Sequence, residues 1–312
     1  MRRGFCDDIA TPVSLPVTPG GDVVGHIVAC GKDVTPFKRG ERVAALVRTG
    51  GNARFISVPT KSLVLVPKSL DAAEAVTMVS TYAAAYQSLK LVSDNNTVFS
   101  MQGKKVLIVG GMSSVGQALI QLCTKARAEI FATAPDRRHN YMRNTLEATP
   151  LPENSAAWSV IADGEMDYVF DGVCEDGLEH ANKALKPHGK LVCFGQASVL
   201  REEVGMFGTP FSVRYNKLRS NMISGGRTLD LWASFKSDPN AYKKNLQALF
   251  QLLKWQKIKP HIAKRVALPE VAAVHERLES GDVRGTVVCF PWKRNGSKGV
   301  SKVVEGDDAE RE

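Results

Sequence analysis

The residues best suited to chemistry stand in one run, VLIVGGMSSVGQALIQL at 106–122. It reads as a strand, a tight turn of small residues and a helix. Gly110 and Gly111 let the backbone turn sharply and approach a ligand closely. Gly116 opens the helix, where a side chain would block helix–strand packing. The first N–H groups of a helix have no intrahelical partner, and with the helix dipole they favour an anion. A pyrophosphate fits there. A glycine pattern alone is weak evidence, but the strand before it and the helix after it supply the context of a dinucleotide fingerprint. The competing reading is a purely structural glycine turn.

The strand that follows selects the cofactor. An Asp or Glu at its end grips the ribose hydroxyls of NAD. Here EIFAT (129–133) ends in Thr133, and Asp136 arrives a few residues late. Arg137 and Arg138 follow at once, and their guanidinium forks suit a 2′-phosphate. NADPH is therefore expected over NADH. A solvated basic turn is the alternative.

The elements needed to position these residues are legible in outline. KVLIV (105–109), EIFAT (129–133), DYVFD (167–171) and KLVCF (190–194) are short apolar runs, as strands buried on both faces should be. Between the first two, Val115, Ala118, Leu119, Leu122 and Ala126 recur at helical spacing. GLEHANKALK (177–186) reads as a helix stopped by Pro187 and Gly189. Strands alternating with helices imply an α/β fold with a doubly wound parallel sheet. Upstream, DVVGHIVACG, ERVAALV and ARFISVP read as short strands, and Asp71 as the N-cap of an Ala-rich helix running to Leu89. Downstream, 195–238 reads as a long loop region with one strand near Asn221–Ser224. Helices at 241–256 and 270–280 and a strand at 285–290 follow. The polar tail from Lys293 is expected to be disordered.

Length and charge bound the rest. The 312 residues suggest about two domains, and 44% hydrophobic with 23% charged residues excludes a mostly disordered chain. The net charge of +9 favours anionic partners without choosing among them. The basic residues are scattered rather than gathered on one helix, which weighs against nucleic acid. None of the six cysteines forms a C-x-x-C pair, and Cys193 and Cys289 sit in apolar runs. Reduced, buried thiols in a cytoplasmic protein are expected. The N-terminus lacks the apolar core of a signal peptide, and no run approaches the roughly 18 apolar residues of a membrane span.

At this point the sequence resembles the medium-chain dehydrogenase/reductase superfamily, in its zinc-free quinone oxidoreductase and enoyl reductase-like branch. The matching stretches are PGGDVVGHIVACGKDVTPFKRGERV (19–43), GGNARFISVP (50–59), LVPKSLDAAEAVTMVSTYAAAYQSL (65–89), GKKVLIVGGMSSVGQALIQL (103–122), ATPLP (148–152), YVFDGV (168–173), ALKPHGKLVCFG (184–195) and VRGTVV (283–288). The resemblance implies a Rossmann domain over 79–257. It implies a GroES-like β-barrel domain made of 1–78 and a return over 258–292, with 293–312 a tail. It implies hydride transfer from NADPH to a quinone or an α,β-unsaturated carbonyl. By analogy Gly110, Gly111, Ser113, Ser114, Val115 and Gly116 would line the pyrophosphate. Thr133, Arg137 and Arg138 would line the adenosine 2′-phosphate, and Phe194 and Gly195 the nicotinamide. Relatives are commonly homodimers, and some are membrane-associated, although no lipidation motif is present.

Departures from the family pattern shape the expectation. The zinc-dependent relatives carry a Gly-His-Glu ligand segment; here it aligns with Gly20-Gly21-Asp22, and the four-cysteine zinc lobe is missing. No metal is expected, and His26 reads as a strand residue. The turn glycine expected at 113 is a serine. RRGFC (2–6) looks like the segment that normally follows the first barrel strands, so the barrel is expected to be incomplete at its N-terminus. Cys6 falls where many relatives carry a tyrosine near the active site. Without zinc, a Tyr hydroxyl, a backbone N–H or water must serve the acceptor oxygen. Tyr82, in the helix that links the domains of relatives, is the candidate side chain, against a core-packing role. Asp171 reads equally as a turn cap or a cofactor contact. Two functions stay open: an NADPH-dependent quinone or enone reductase, and a non-catalytic NADPH-binding protein.

Overall fold

The computed structural model describes residues 16–93, 99–195, 208–279, 283 and 285–292, with 208–214 and 278–279 as backbone only. Cys6 and the tail from 293 lie outside the described residues. The chain begins with an antiparallel sheet of β1 (Asp22–His26), β2 (Arg42–Leu46) and β3 (Val64–Leu65). Asp22 pairs with Leu46, and Val43 with Leu65.

Helix α1 (Ala72–Thr77) starts where the Asp71 carboxylate accepts from the Ala73 and Glu74 amides. Such a cap stabilises a helix start by about 1 kcal/mol. A π turn at Met78–Tyr82 carries the chain into α2 (Ala83–Val92). Six parallel strands follow: β4 (Lys105–Val109), β5 (Glu129–Thr133), β6 (Thr149–Leu151), β7 (Met166–Asp171), β8 (Leu185–Cys193) and β9 (Gly226–Thr228). Their spatial order is β6-β5-β4-β7-β8-β9, the doubly wound arrangement that the alternation implies.

The apolar runs are continuous because both faces of this sheet are covered. Within β4, Val106 and Ile108 enter the core shared with α2 and with α3 (Ser114–Lys125). Leu107 and Val109 enter the core on the opposite face, with Trp158 and Leu178. Each fully buried side chain of this kind stabilises by roughly 1.5–3 kcal/mol. Short helices α4 (His139–Asn144), α5 (Ser155–Ile161) and α6 (Glu179–Lys183) link the strands. After α7 (Gly208–Met222) and α8 (Leu231–Ser237) comes α9 (Pro239–Lys254), capped by the Asp238 carboxylate. Its buried stripe is Tyr242, Leu246, Leu249, Phe250 and Leu253. Tyr242 Oη donates to the Val79 carbonyl in the π turn at 2.6 Å.

The chain closes with β10 (Ile262–Ala267), α10 (Val271–Glu279) and β11 (Thr286–Phe290), β10 and β11 pairing in parallel. This return is tied back at several points. Arg265 pairs with Asp71 at 2.7 Å, and Thr286 Oγ1 lies 3.3 Å from Ser114 Oγ. Gln121 of α3 accepts at Oε1 from the Lys259 amide and donates from Nε2 to the Lys259 carbonyl.

Four expectations are corrected. ARFISVP (53–59) forms no ladder; Phe55 is exposed and stacks edge-on against Trp292. In the region expected as a long loop, the described residues 208–238 hold α7, β9 and α8. Weak amphipathicity hid α7, and the strand expected at Asn221–Ser224 is β9, which starts five residues later at Gly226. The helix expected over 177–186 is only α6, because Asp176, Gly177 and Leu178 have positive φ and β8 already begins at Leu185. Finally, Cys174 and Cys193 are joined as a disulfide and Cys30 is exposed. Among the described residues, Cys123 alone matches the expected fully buried free thiol, burial pushing it up to about 12.

Candidate functional site

The strand order reverses between β4 and β7, and open α/β sheets bind ligands outside the carboxyl ends of their strands at such a point. A cleft opens there. The β4 side supplies Val109, Gly110, Met112 and Ser113, and β5 supplies Thr133 and Pro135. The β7 side supplies Asp171, Gly172 and Val173, and Glu153, Ser155 and Trp158 close one end.

The glycine turn is built from its own hydrogen bonds. Gly110 N–H donates to Thr133 Oγ1 at 2.9 Å, and Gly111 N–H to the Thr133 carbonyl at 3.1 Å. Thr133 therefore anchors the turn to β5. Ser113 is the N-cap of α3: its Oγ accepts from Gly116 N–H at 3.0 Å and donates to the Gly110 carbonyl at 2.8 Å. The serine in place of glycine thus fastens the turn. Ser114 and Val115, the first helical positions, keep amides without an intrahelical partner.

The turn has no room for side chains. A Cβ on Gly116 would stand 2.4 Å from the Gly110 carbonyl oxygen, and one on Gly111 2.8 Å from the Ala132 Cβ. Gly110 has φ +86°. These restraints bring backbone to the cleft where a bulky residue would fill it. A dinucleotide fits this arrangement, with the pyrophosphate against the α3 start. Among the described residues lining the cleft there is no Lys or Arg, while Glu153, Asp171, Glu175 and Asp176 line it. Phosphate would be held by amides, and the carboxylates suit ribose hydroxyls.

Apart from Asp171, the remaining predicted residues do not line the cleft. Arg137 and Arg138 stand in a 3-10 turn directly after Pro135, Arg137 exposed and Arg138 half-buried. The Asp136 carboxylate is 92% exposed beside His139. Phe194 packs behind Gly172, where a Cβ would meet its ring at 2.5 Å. A Cβ on Gly195 would meet the Gly172 carbonyl oxygen at 2.7 Å. Both therefore shape the β7 wall from behind. Tyr82 is 3% exposed, and its hydroxyl donates to Gln121 Oε1 at 3.1 Å, outside the cleft lining. Burial pushes its phenol above the usual tyrosine range. Asp22 accepts from the Ser80 hydroxyl, and His26 is exposed at the end of β1. Sequence reasoning missed, among others, Met112, Glu153, Ser155, Trp158, Glu175 and Asp176. Of these six only Met112 lay inside a motif that could have signalled it.

Asp171 acts as a cap and lines the cleft. Its Oδ1 accepts from the Val173 and Cys174 amides, both at 2.8 Å. Burial pushes its carboxyl from 3.8 up to about 6, against the lowering effect of these two bonds. The folded state thus holds the proton more tightly than the unfolded state. This contribution to stability is present below about pH 4 and is lost as pH rises to about 6. Asp171→Asn keeps an oxygen acceptor and removes the ionisation. It is expected to abolish that loss and to raise stability at pH 7 by about 2 kcal/mol. Urea midpoints at pH 4 and pH 7 read the effect; a variant as pH-dependent as the parent would place the titration elsewhere.

Comparisons with known proteins agree with this architecture. An alcohol dehydrogenase GroES-like domain model matches residues 1–68, and a zinc-binding dehydrogenase model matches 146–289. The human synaptic vesicle membrane protein VAT-1 homolog is 29% identical over 204 residues, 64% of this chain and 50% of its own length. The chain thus spans about half of that relative. Human quinone oxidoreductase is 27% identical over 277 residues, 86% of this chain and 77% of its own. The solved structure of mycobacterial Rv1454c complexed with NADPH superposes with a TM-score of 0.72 at 22% identity, covering 90% of this chain and 85% of that one. The fold is a Rossmann sheet joined to a GroES-like β-barrel domain, and the chain belongs to the medium-chain dehydrogenase/reductase superfamily, in the branch of the quinone oxidoreductases.

Proposed function

We propose that the protein is an NADPH-dependent oxidoreductase that reduces a quinone or an α,β-unsaturated carbonyl without zinc. The observation that carries this reading is the glycine turn at the switch point of the sheet, with Arg137 and Arg138 in the 3-10 turn that follows the cleft residue Pro135. Relatives named as quinone oxidoreductase and a neighbour solved with NADPH support it. Bound NADPH would supply a hydride to the acceptor carbon. The chain's part is orientation and exclusion of water. The amides of Ser114 and Val115 would hold the pyrophosphate, and Arg137 and Arg138 the 2′-phosphate. Gly172, backed by Phe194, would form the wall on the nicotinamide side.

The acceptor oxygen needs a proton. With the Tyr82 hydroxyl bound to Gln121, a backbone N–H or water fills that role. Tyr82→Phe is expected to keep turnover within about twofold and to lower stability by about 1 kcal/mol, the usual net worth of one hydrogen bond. Loss of turnover with unchanged stability would return Tyr82 to the catalytic role.

The buried Tyr82 hydroxyl also favours a second reading, a non-catalytic NADPH-binding protein. One experiment separates the two. NADPH binding is followed by fluorescence, then NADPH oxidation is measured with 9,10-phenanthrenequinone and with a simple enone. Binding with turnover supports the reductase. Binding without turnover supports the second reading, and no binding removes both.

A further inference from the structure

Cys174 and Cys193 sit at the carboxyl ends of β7 and β8, against the wall of the cleft. Asp171 pairs with Cys193 in the sheet, so Cys174 lies three residues beyond its partner's level. A strand continuing straight would carry it about 10 Å further on. Instead Cys174 adopts φ +54°, the chain folds back, and its Cα comes to 6.8 Å from that of Cys193. Asp176 and Leu178 also have positive φ, at 51° and 70°. Side-chain-bearing residues disfavour this region, and three so close together need outside support. Part of it is visible: the Cys174 amide is held by Asp171, and its carbonyl accepts from Asn216 Nδ2 at 3.2 Å. The sulfurs of Cys174 and Cys193 lie 2.9 and 3.3 Å from the Gly195 carbonyl oxygen. The same loop presents Val173, Glu175 and Asp176 to the cleft.

We propose that Cys174 and Cys193 form a reversible redox site whose disulfide holds the cleft wall in its dinucleotide-binding shape. The oxidant is a low-molecular-weight disulfide such as oxidised glutathione. Cys174 is buried while the loop is folded back; in the relaxed loop its thiolate attacks one glutathione sulfur, the S–S bond breaks and one glutathione thiolate leaves. The Cys193 thiolate then attacks the Cys174 sulfur of the mixed disulfide, and a second glutathione thiolate leaves. Two protein thiols are oxidised, one glutathione disulfide is reduced, and the two thiol protons pass to the leaving thiolates. Reduction reverses both steps. Without the bond the loop relaxes from its left-handed backbone, and the fraction of molecules with a formed wall falls. Apparent dinucleotide affinity falls with that fraction. The effect on affinity rests on the cofactor reading above, whereas the redox site does not.

The test uses the full chain equilibrated in glutathione buffers of stepped redox poise. Thiols are trapped by alkylation and mapped by mass spectrometry. A Cys174–Cys193 peptide, about 2 Da lighter than its dithiol form, is expected to appear and disappear reversibly. Amide exchange over 172–178 is expected to rise about tenfold on reduction. NADPH affinity is expected to fall by about threefold on reduction, and Cys174→Ala and Cys193→Ala each to lose this response. Thiols that alkylate fully at every poise, or exchange over 172–178 that is equal in both forms, would overturn the proposal. A clear exchange change with no NADPH binding in either form would uphold the redox site and overturn the cofactor reading instead.

Discussion

Gly116→Ala is expected to lower NADPH affinity by a factor of about 100 and to cost about 3 kcal/mol of stability. Propensity argues the other way, since alanine in a helix is favoured over glycine by about 1 kcal/mol. Sterics decide the sign. The added Cβ would stand 2.4 Å from the Gly110 carbonyl oxygen and 2.9 Å from the Gly111 Cα, both backbone atoms of the turn. No rotamer relieves a clash with backbone, so the turn must shift. That shift also breaks the Ser113 cap, because Ser113 Oγ bonds both Gly116 N–H and the Gly110 carbonyl. Urea denaturation and NADPH fluorescence titration measure the two effects. Near-parental values in both would mean that the turn is looser than its hydrogen bonds imply.

The double variant Arg137→Ala/Arg138→Ala has the next largest expected effect. It should weaken NADPH binding by about 30- to 100-fold and leave NADH binding within about twofold, since each charge-assisted pair contributes roughly 1.5–3 kcal/mol less solvent screening. Arg137 is exposed, so the smaller figure applies to it. The effect should shrink as salt rises. Parallel titrations with both cofactors at two ionic strengths test it. Equal losses for NADPH and NADH, or no loss for either, would exclude a 2′-phosphate contact.

The parts of the fold that were legible are those whose pattern has one physical cause. VLIV, IFA and LVCF, the centres of KVLIV, EIFAT and KLVCF, are apolar because the parallel sheet buries both faces, and each segment became a strand. The segment at 195–238 was illegible because α7 carries little apolar periodicity to betray it. ARFISVP has the composition of a strand, yet its Phe55 meets Trp292 across 237 residues rather than a ladder partner. The site divides in the same way. Gly110, Gly111, Ser113 and Gly116 form a contiguous motif, and their conformations follow from close backbone approach. Glu153, Ser155 and Trp158 reach the cleft only through the placement of β6 and α5, and no local spacing announces them. The Cys174–Cys193 bond was hidden because 19 residues separate the partners and only the sheet register brings them together.

Helix α3 meets the returning segment twice on one side. Ser114 touches Thr286, and Gln121, seven residues later, binds both backbone groups of Lys259. Seven residues are two turns, so the contacts share a face about 10 Å apart along the helix axis. The line joining them runs along α3 itself, so a rotation of the return about these two contacts would leave the N-terminus of α3, and the glycine turn it caps, in place.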